Sequence, residues 1–280
     1  MSGEKLSPEK LSAIKRERDD APLFIEEILS SLGQGRMVLD AGCGAGSFQH
    51  SRFPGLDIVS IDIKTPDRVG VDAAARVHLP PNFVLGDLEK LPLKAGSIDF
   101  VVLNYALEHV FDANATVTEA SRVLKSGGLL YAALPNSRSF DDKFYRFAGY
   151  FAKYVLLKVH KRLEHQQRFD FLSLNKLLYS KGFRLLSFCE CPSGYTWMND
   201  PRVKKFRASF LKILSFLKSA VKIDLFKNSN YLTLYRYDGT SGIRTVTHIC
   251  AFCGMQLIDE RERDSGPWTC PYCGERNVHC

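Results

Sequence analysis

From about residue 22 to residue 137, short apolar runs that end in Asp, Asn or Gly alternate with amphipathic stretches of helical length. The runs Met37 to Ala41, Ile58 to Asp62, Phe83 to Leu85, Phe100 to Asn104 and Gly128 to Leu134 predict strands. Val38-Leu39, Val101-Val102-Leu103 and Leu129-Leu130 are apolar at consecutive positions, as parallel strands covered on both faces require. A pattern that switches between strand and helix in this order predicts βαβ units and a largely parallel sheet. Ser137 to Lys181 reads as mostly helical, and Gly182, placed to end a helix, introduces a strand that runs to Cys189. A basic, apolar stretch follows from Val203 to Lys227, then a strand rich in Tyr and Leu over Tyr231 to Tyr237, then a polar linker over Gly239 to Thr247. The chain thus divides into a charged lead-in (1–21), one α/β domain (22–238) with helical, basic insertions or lid segments at 138–181 and 192–228, and a separate C-terminal unit (247–280).

Polar chemistry concentrates at the ends of the predicted strands. Val38-Leu39-Asp40-Ala41-Gly42-Cys43-Gly44-Ala45-Gly46-Ser47-Phe48 is a strand ending in Asp followed by glycines at alternate positions, which lets backbone approach a ligand at the carboxyl edge of a parallel sheet. It is not Gly-x-Gly-x-x-Gly, and no phosphate-binding Lys follows it. A turn of this kind can also merely connect a strand to a helix, so its neighbours matter. Asp62 closes the second strand, where nucleoside-binding folds hold ribose hydroxyls. Gly86-Asp87-Leu88 follows the third strand, and Asn104-Tyr105-Ala106-Leu107-Glu108-His109 runs from the fourth into a predicted helix.

Together these residues resemble the class I S-adenosylmethionine-dependent methyltransferases, in the branch that contains quinone-biosynthesis, sugar and other small-molecule enzymes. The resemblance is strong over about Val38 to Pro135 and extends to Gly182 to Tyr237 as the last two strands. It implies a doubly wound, Rossmann-like α/β fold with a seven-stranded, mostly parallel sheet and an antiparallel final hairpin. It also implies that Gly42, Cys43 and Gly44 line the methionine part of S-adenosylmethionine, with Asp40 beneath the turn. Asp62 and its neighbour Ile63 would meet the ribose side, Asp87 and Leu88 the adenine, and Asn104 the methionine end. A cofactor bearing a sulfonium, an ammonium and a carboxylate needs several fixed polar partners of this kind. A nicotinamide-binding domain, and a domain that binds the cofactor without transferring anything, are the alternatives.

Methyl transfer is an in-line displacement governed by alignment, and an oxygen acceptor also needs a base. Glu108 and His109, after the fourth strand, and His165, in Glu164-His165-Gln166-Gln167-Arg168-Phe169, are the catalytic candidates. For each histidine taken singly, a satisfied structural hydrogen bond is a simpler reading than catalysis.

Charge sharpens the acceptor class. Ser137 to Asn230 carries 19 Lys and Arg against 7 Asp and Glu, a balance of +12, so the rest of the chain is negative despite a net charge of +7. Phe206, Phe210, Ile213, Leu214, Leu217 and Val221 recur at helical spacing, with Lys205, Lys212, Lys218 and Lys222 largely off that face. Such a face either packs on its own domain or lies at an anionic membrane, the second reading favouring a lipid-linked, glycan or other small-molecule acceptor. The composition, 45% hydrophobic and 25% charged, excludes collagen-like and wholly disordered chains. With no uninterrupted apolar run of roughly 18 residues and no apolar stretch behind Met1 to Lys5, a cytoplasmic protein, peripheral to the inner membrane face if the basic helix binds lipid, is expected.

The last motif is independent of the rest. Cys250-x2-Cys253-Gly254 and Cys270-x2-Cys273-Gly274 are two knuckles 16 residues apart, the spacing of a four-thiolate structural zinc site. They resemble a zinc ribbon, with strand pieces at Met255 to Leu257 and Pro267 to Thr269. A 34-residue unit has too little core to fold unaided, so Zn2+ would supply its folding free energy. With 3 Lys and Arg against 5 Asp and Glu over 247–280, nucleic acid is disfavoured as its partner and a protein contact is preferred. An RNA or protein methyltransferase targeted by this ribbon, and a non-catalytic adaptor, stand as the competing functions.

Overall fold

In a computed structural model of the chain, the described residues are 21–64, 82–139, 142–143, 166–191, 230–239 and four two-residue strands between 248 and 277. The basic stretch 203–227, His165 and the four knuckle cysteines lie outside them. Among the described residues no helix is long and apolar enough to cross a membrane.

The elements run α1 (Ala21–Ser31), β1 (Met37–Ala41), β2 (Asp57–Asp62), β3 (Phe83–Leu85), β4 (Ile98–Asn104), α2 (Ala113–Val123), β5 (Leu124–Pro135), α3 (Phe171–Ser180), β6 (Phe183–Cys191) and β7 (Asn230–Tyr237). One seven-stranded sheet has the order β3-β2-β1-β4-β5-β7-β6. The contacts of β1 with β2 and β4, of β2 with β3 and of β4 with β5 are parallel, whereas β7 is antiparallel to both β5 and β6. The chain winds outward from β1 to β3 and then returns to β4. The carboxyl ends of β1 and β4 therefore face a topological switch point, where open α/β sheets leave a crevice for a ligand.

Strand alternation builds two cores. Leu39, Val101, Leu103, Leu130 and Leu134 point to one face, where α2 and α3 add Val117, Ala120, Leu174 and Leu178. Val38, Phe100, Val102, Tyr131 and Leu234 point to the other, which α1 covers with Phe24, Ile25, Ile28 and Leu29, each at most 1% exposed. Those four positions share one side of a 3.6-residue helix. β3 lies at one edge of the sheet, and its Val84 and Leu85 are exposed.

Local signals set the boundaries. Asp112 caps α2 by accepting from the N–H groups of Asn114 and Ala115, so the helix after β4 begins at Ala113. Glu108 and His109, expected at the start of that helix, instead occupy the turn before it. Asp170 and Ser173 form a reciprocal capping box at α3, so the described part of the 137–181 region is helical over Phe171–Ser180 while 166–170 is not. Gly182, at φ +85°, ends the helix and releases the chain into β6. β5 begins four residues earlier than the sequence predicts, directly at the end of α2, and its pairing with β4 shifts register between Ile98 and Phe100.

At the amino edge of the sheet, Asp99 accepts from Arg36 Nη1 at 2.8 Å, Lys125 Nζ at 2.7 Å and the Met37 N–H at 3.0 Å. Burial alone would raise its pKa, but these three donors outweigh it and hold the carboxyl below the usual range. A carboxyl depressed in the fold contributes stability above its unfolded pKa of about 3.9 and loses it as pH falls through the folded value. Urea unfolding from about pH 5 downward should therefore show a steeper loss in the parent than in Asp99→Asn. Parallel curves would show that these bonds do not couple to folding.

Candidate active site

Four strand ends converge at the switch point. After β1 the chain turns through Gly42, Gly44 and Gly46 at φ +71°, +51° and +111°, a region open to glycine and costly for residues with a side chain. Space is equally restrictive, because a Cβ on Gly42 would lie 2.5 Å from the Ala106 Cβ and 3.4 Å from Leu88 Cδ1. The turns after β1, β3 and β4 thus meet at Gly42.

Hydrogen bonds fix the turn from two sides. The N–H groups of Gly42 and Cys43 donate to Ile61 O at 2.8 and 3.1 Å. The Gly44 N–H donates to Asp62 Oδ2 at 2.8 Å, while Lys64 N–H donates to Oδ1 at 2.9 Å. Asp62 stays half-buried, and Ile63 beside it is 63% exposed. Beneath the turn Asp40 is 0% exposed and accepts from Ser47 N–H at 3.1 Å, Ser47 Oγ at 2.5 Å and His50 Nε2 at 2.9 Å. Asp40 is therefore committed to the turn from beneath. Cys43 is also inward: burial, with the Asp40 and Asp62 charges adding, pushes its thiol far up and keeps it un-ionised.

Asp87 is exposed, with Oδ1 accepting the Glu89 N–H at 2.9 Å, and Leu88 is buried behind it. Asn104, at the end of β4, has a buried Oδ1 without a hydrogen-bond partner among the described residues. A buried acceptor left unmet costs about 1–3 kcal/mol, so this atom is suited to a donor brought by a ligand. Tyr105 follows at φ +53°, a conformation rare for a residue with a side chain and found preferentially at functional sites.

Glu108 is 3% exposed and its Oε2 has no partner among the described residues. Burial pushes its pKa up to about 8. It lines a recess with Pro135, Ser137, Asp142, Gln167 and Phe169. Its carbonyl accepts from Gln166 and Gln167 N–H at 2.8 and 3.0 Å, and Gln167 Nε2 donates to Phe111 O at 2.6 Å. Glu89 Oε1 accepts the N–H groups of Phe111 and Asp112 at 2.7 and 2.9 Å. The 105–112 loop is thereby pinned to the chain that leads into α3, so Glu108 and the segment next to His165 share one end of the sheet. His109 faces solvent.

The sequence motif contained Ser47 but gave no sign of its bond to Asp40. His50, Glu89, Tyr105 and Gln167 went unmarked because their roles depend on partners remote in sequence. An Asp with a Ser seven and a His ten residues later, across a glycine turn, is the one pattern that could have exposed the first pair.

Comparison with known proteins agrees with this arrangement. A family described as a methyltransferase domain matches residues 39–132. Malonyl-[acyl-carrier protein] O-methyltransferase of Yersinia pestis is 34% identical over 118 residues, covering 41% of this chain and 43% of that protein. Ubiquinone biosynthesis O-methyltransferase of Dechloromonas aromatica is 30% identical over 166 residues, 56% of this chain and 68% of that one. The match thus spans less than half the length of the Yersinia relative and about two thirds of the Dechloromonas one. The structure of a SAM-dependent methyltransferase from Methanosarcina mazei superimposes with a TM-score of 0.52 at 18% identity, covering 78% of this chain and 98% of that chain, a likeness of fold.

The contact at Gly42 is testable on its own. Gly42→Ala should destabilise the protein by about 2–5 kcal/mol through left-handed strain and overpacking. Adding Ala106→Gly should restore the part owed to the clash, and urea denaturation of both variants measures it. A Gly42→Ala protein as stable as its parent would contradict the close approach.

Proposed function

The chain belongs to the class I S-adenosylmethionine-dependent methyltransferases, and on that premise we propose that it methylates an oxygen of a small-molecule, glycan or lipid-linked acceptor. The observation that carries this reading is the convergence, in chain order on β1 to β4, of the glycine turn, Asp62, Asp87–Leu88 and Asn104. These residues fit the cofactor chemically. Asp62 spends one backbone bond on each oxygen and keeps lone pairs for ribose hydroxyls, and the unmet Asn104 Oδ1 suits an ammonium. Asp87 and Leu88 would meet the adenine, with Ile63 flanking it, and Gly42 to Gly44 would carry the methionine end. When bound, S-adenosylmethionine supplies an activated methyl group on a sulfonium.

The rest falls to the chain's own groups. Glu108 would border the acceptor and take the hydroxyl proton as the oxygen gains the methyl. Burial supports Glu108 over the exposed His109, because a base with a pKa of about 8 lies close to working pH. His165 remains a candidate beside Gln166. That both curated relatives are named O-methyltransferases supports an oxygen acceptor.

Labelled methyl transfer to small-molecule, glycan and lipid extracts, with calorimetric titration of S-adenosylhomocysteine, tests this reading. Asp62→Ala should weaken S-adenosylhomocysteine binding about tenfold or more, since each bond to a charged acceptor is worth about 1.5–3 kcal/mol. Glu108→Gln should keep that affinity and lose the limb of kcat/KM that rises with pH through about 8. Unchanged binding in folded Asp62→Ala, or an unchanged pH profile in Glu108→Gln, would refute the respective role.

We further propose that Cys250, Cys253, Cys270 and Cys273 hold one structural zinc ion. Two antiparallel hairpins support this, His248–Ile249 with Gln256–Leu257 and Trp268–Thr269 with Arg276–Asn277. Each frames a six-residue connection with cysteines at its first and fourth positions, as a ribbon knuckle requires. Metal analysis of reduced protein should find zinc near one per chain and much less in Cys270→Ser, with S-adenosylhomocysteine affinity kept. Metal-free parent protein would refute the site.

A further inference from the structure

Asp40 is sealed from water and closes the turn of residues 41–46 by its bonds to Ser47. Its remaining side-chain partner is His50, 2.9 Å away through Nε2. A carboxylate only accepts, so Nε2 carries the proton in this contact. The ring is itself anchored. His50 lies in a 3-10 turn (His50–Arg52), stacks edge-on against Phe48 at 4.4 Å, and is followed by Arg52, which pairs with Glu26 of α1. A chain of contacts thus runs from α1 through Arg52 and His50 to the carboxylate under the glycines.

Such a turn needs holding. Glycines with positive φ give the largest backbone freedom when released, and a ligand that binds one conformer loses affinity in proportion to the fraction of time the turn leaves it. Ser47 holds both oxygens of Asp40 from within the turn, and the His50 bond to Oδ2 adds a donor from outside it, tying the carboxylate to the 3-10 turn that follows.

We propose that His50 is a positioning residue for the methyl donor: its Nε2–H bond to Asp40 holds the Gly42–Gly46 turn in the binding conformation and so sets cofactor affinity. This rests on the cofactor reading above. It adds a residue that touches no ligand and acts through Asp40.

The test is calorimetric titration of full-length protein with S-adenosylhomocysteine, alongside thermal melting. His50→Leu should raise the Kd about tenfold or more. His50→Gln, whose side-chain Nε2 can occupy the place of the ring Nε2, should stay within about threefold of the parent. A purely structural histidine would lower the melting temperature in both variants and leave the Kd of the folded protein unchanged. Should His50→Leu fail to fold, Ser47→Ala removes a donor from the other oxygen and should weaken binding in the same direction. An unchanged Kd in His50→Leu or Ser47→Ala, or equal weakening in His50→Gln and His50→Leu, would overturn the proposal. A parent that binds no S-adenosylhomocysteine would overturn the cofactor reading and this inference with it.

Discussion

Gly42 and Ala106 stand so close that a single methyl group on Gly42 would come within 2.5 Å of the Ala106 Cβ. That contact joins the turn after β1 to the turn after β4, the two strands that flank the switch point of the sheet. Because glycine tolerates both the φ of +71° and the missing space, the backbone N–H groups of residues 42 and 43 can reach Ile61 O and that of residue 44 can reach Asp62. Replace that contact with an ordinary side chain and the two turns must separate, taking with them Leu88 and the register of Asp62 against the glycines. The meeting of these turns at the sheet edge depends on this one close approach.

Around it, three carboxylates take three roles from three surroundings. Asp40 is saturated by Ser47 and His50 and acts as an internal clamp. Asp62 is half open and, among the described residues, partnered by backbone N–H groups, which orient it and leave capacity for hydroxyl donors. Glu108 is buried with one oxygen unmet, and desolvation shifts it toward the neutral form so that it can exchange a proton near working pH. The number of donors each site supplies sets the three apart: a saturated clamp in Asp40, and in Asp62 and Glu108 the open acceptors on which the proposed cofactor and proton-transfer roles rest.

Much of this was legible in the sequence because it is local. The apolar runs at Val38-Leu39 and Val101-Val102-Leu103 marked their strands, Gly182 marked the end of α3, and the alternate glycines, Asp62, Asp87 and Asn104 marked the strand ends that the fold gathers at one edge of the sheet. The placement of Glu108 and His109 was misread, because Asp112 caps α2 and moves the helix start beyond them. Nothing local could separate a buried Glu108 from an exposed His109. That distinction comes from Gln166 and Gln167, nearly sixty residues away, closing over the Glu108 carbonyl. Tyr105 at positive φ, beside the Ala106 that packs on Gly42, likewise has no local signature.

Hydrogen exchange of the backbone amides, measured with and without S-adenosylhomocysteine, probes the sheet edge most directly. Slower exchange is expected at Gly42 to Ser47, Ile63 and Lys64, Asp87 and Leu88, and Asn104 and Tyr105, with β6 and β7 unaffected. Binding without protection of the glycine turn, or protection confined to another part of the domain, would contradict a cofactor site built on the contact between Gly42 and Ala106.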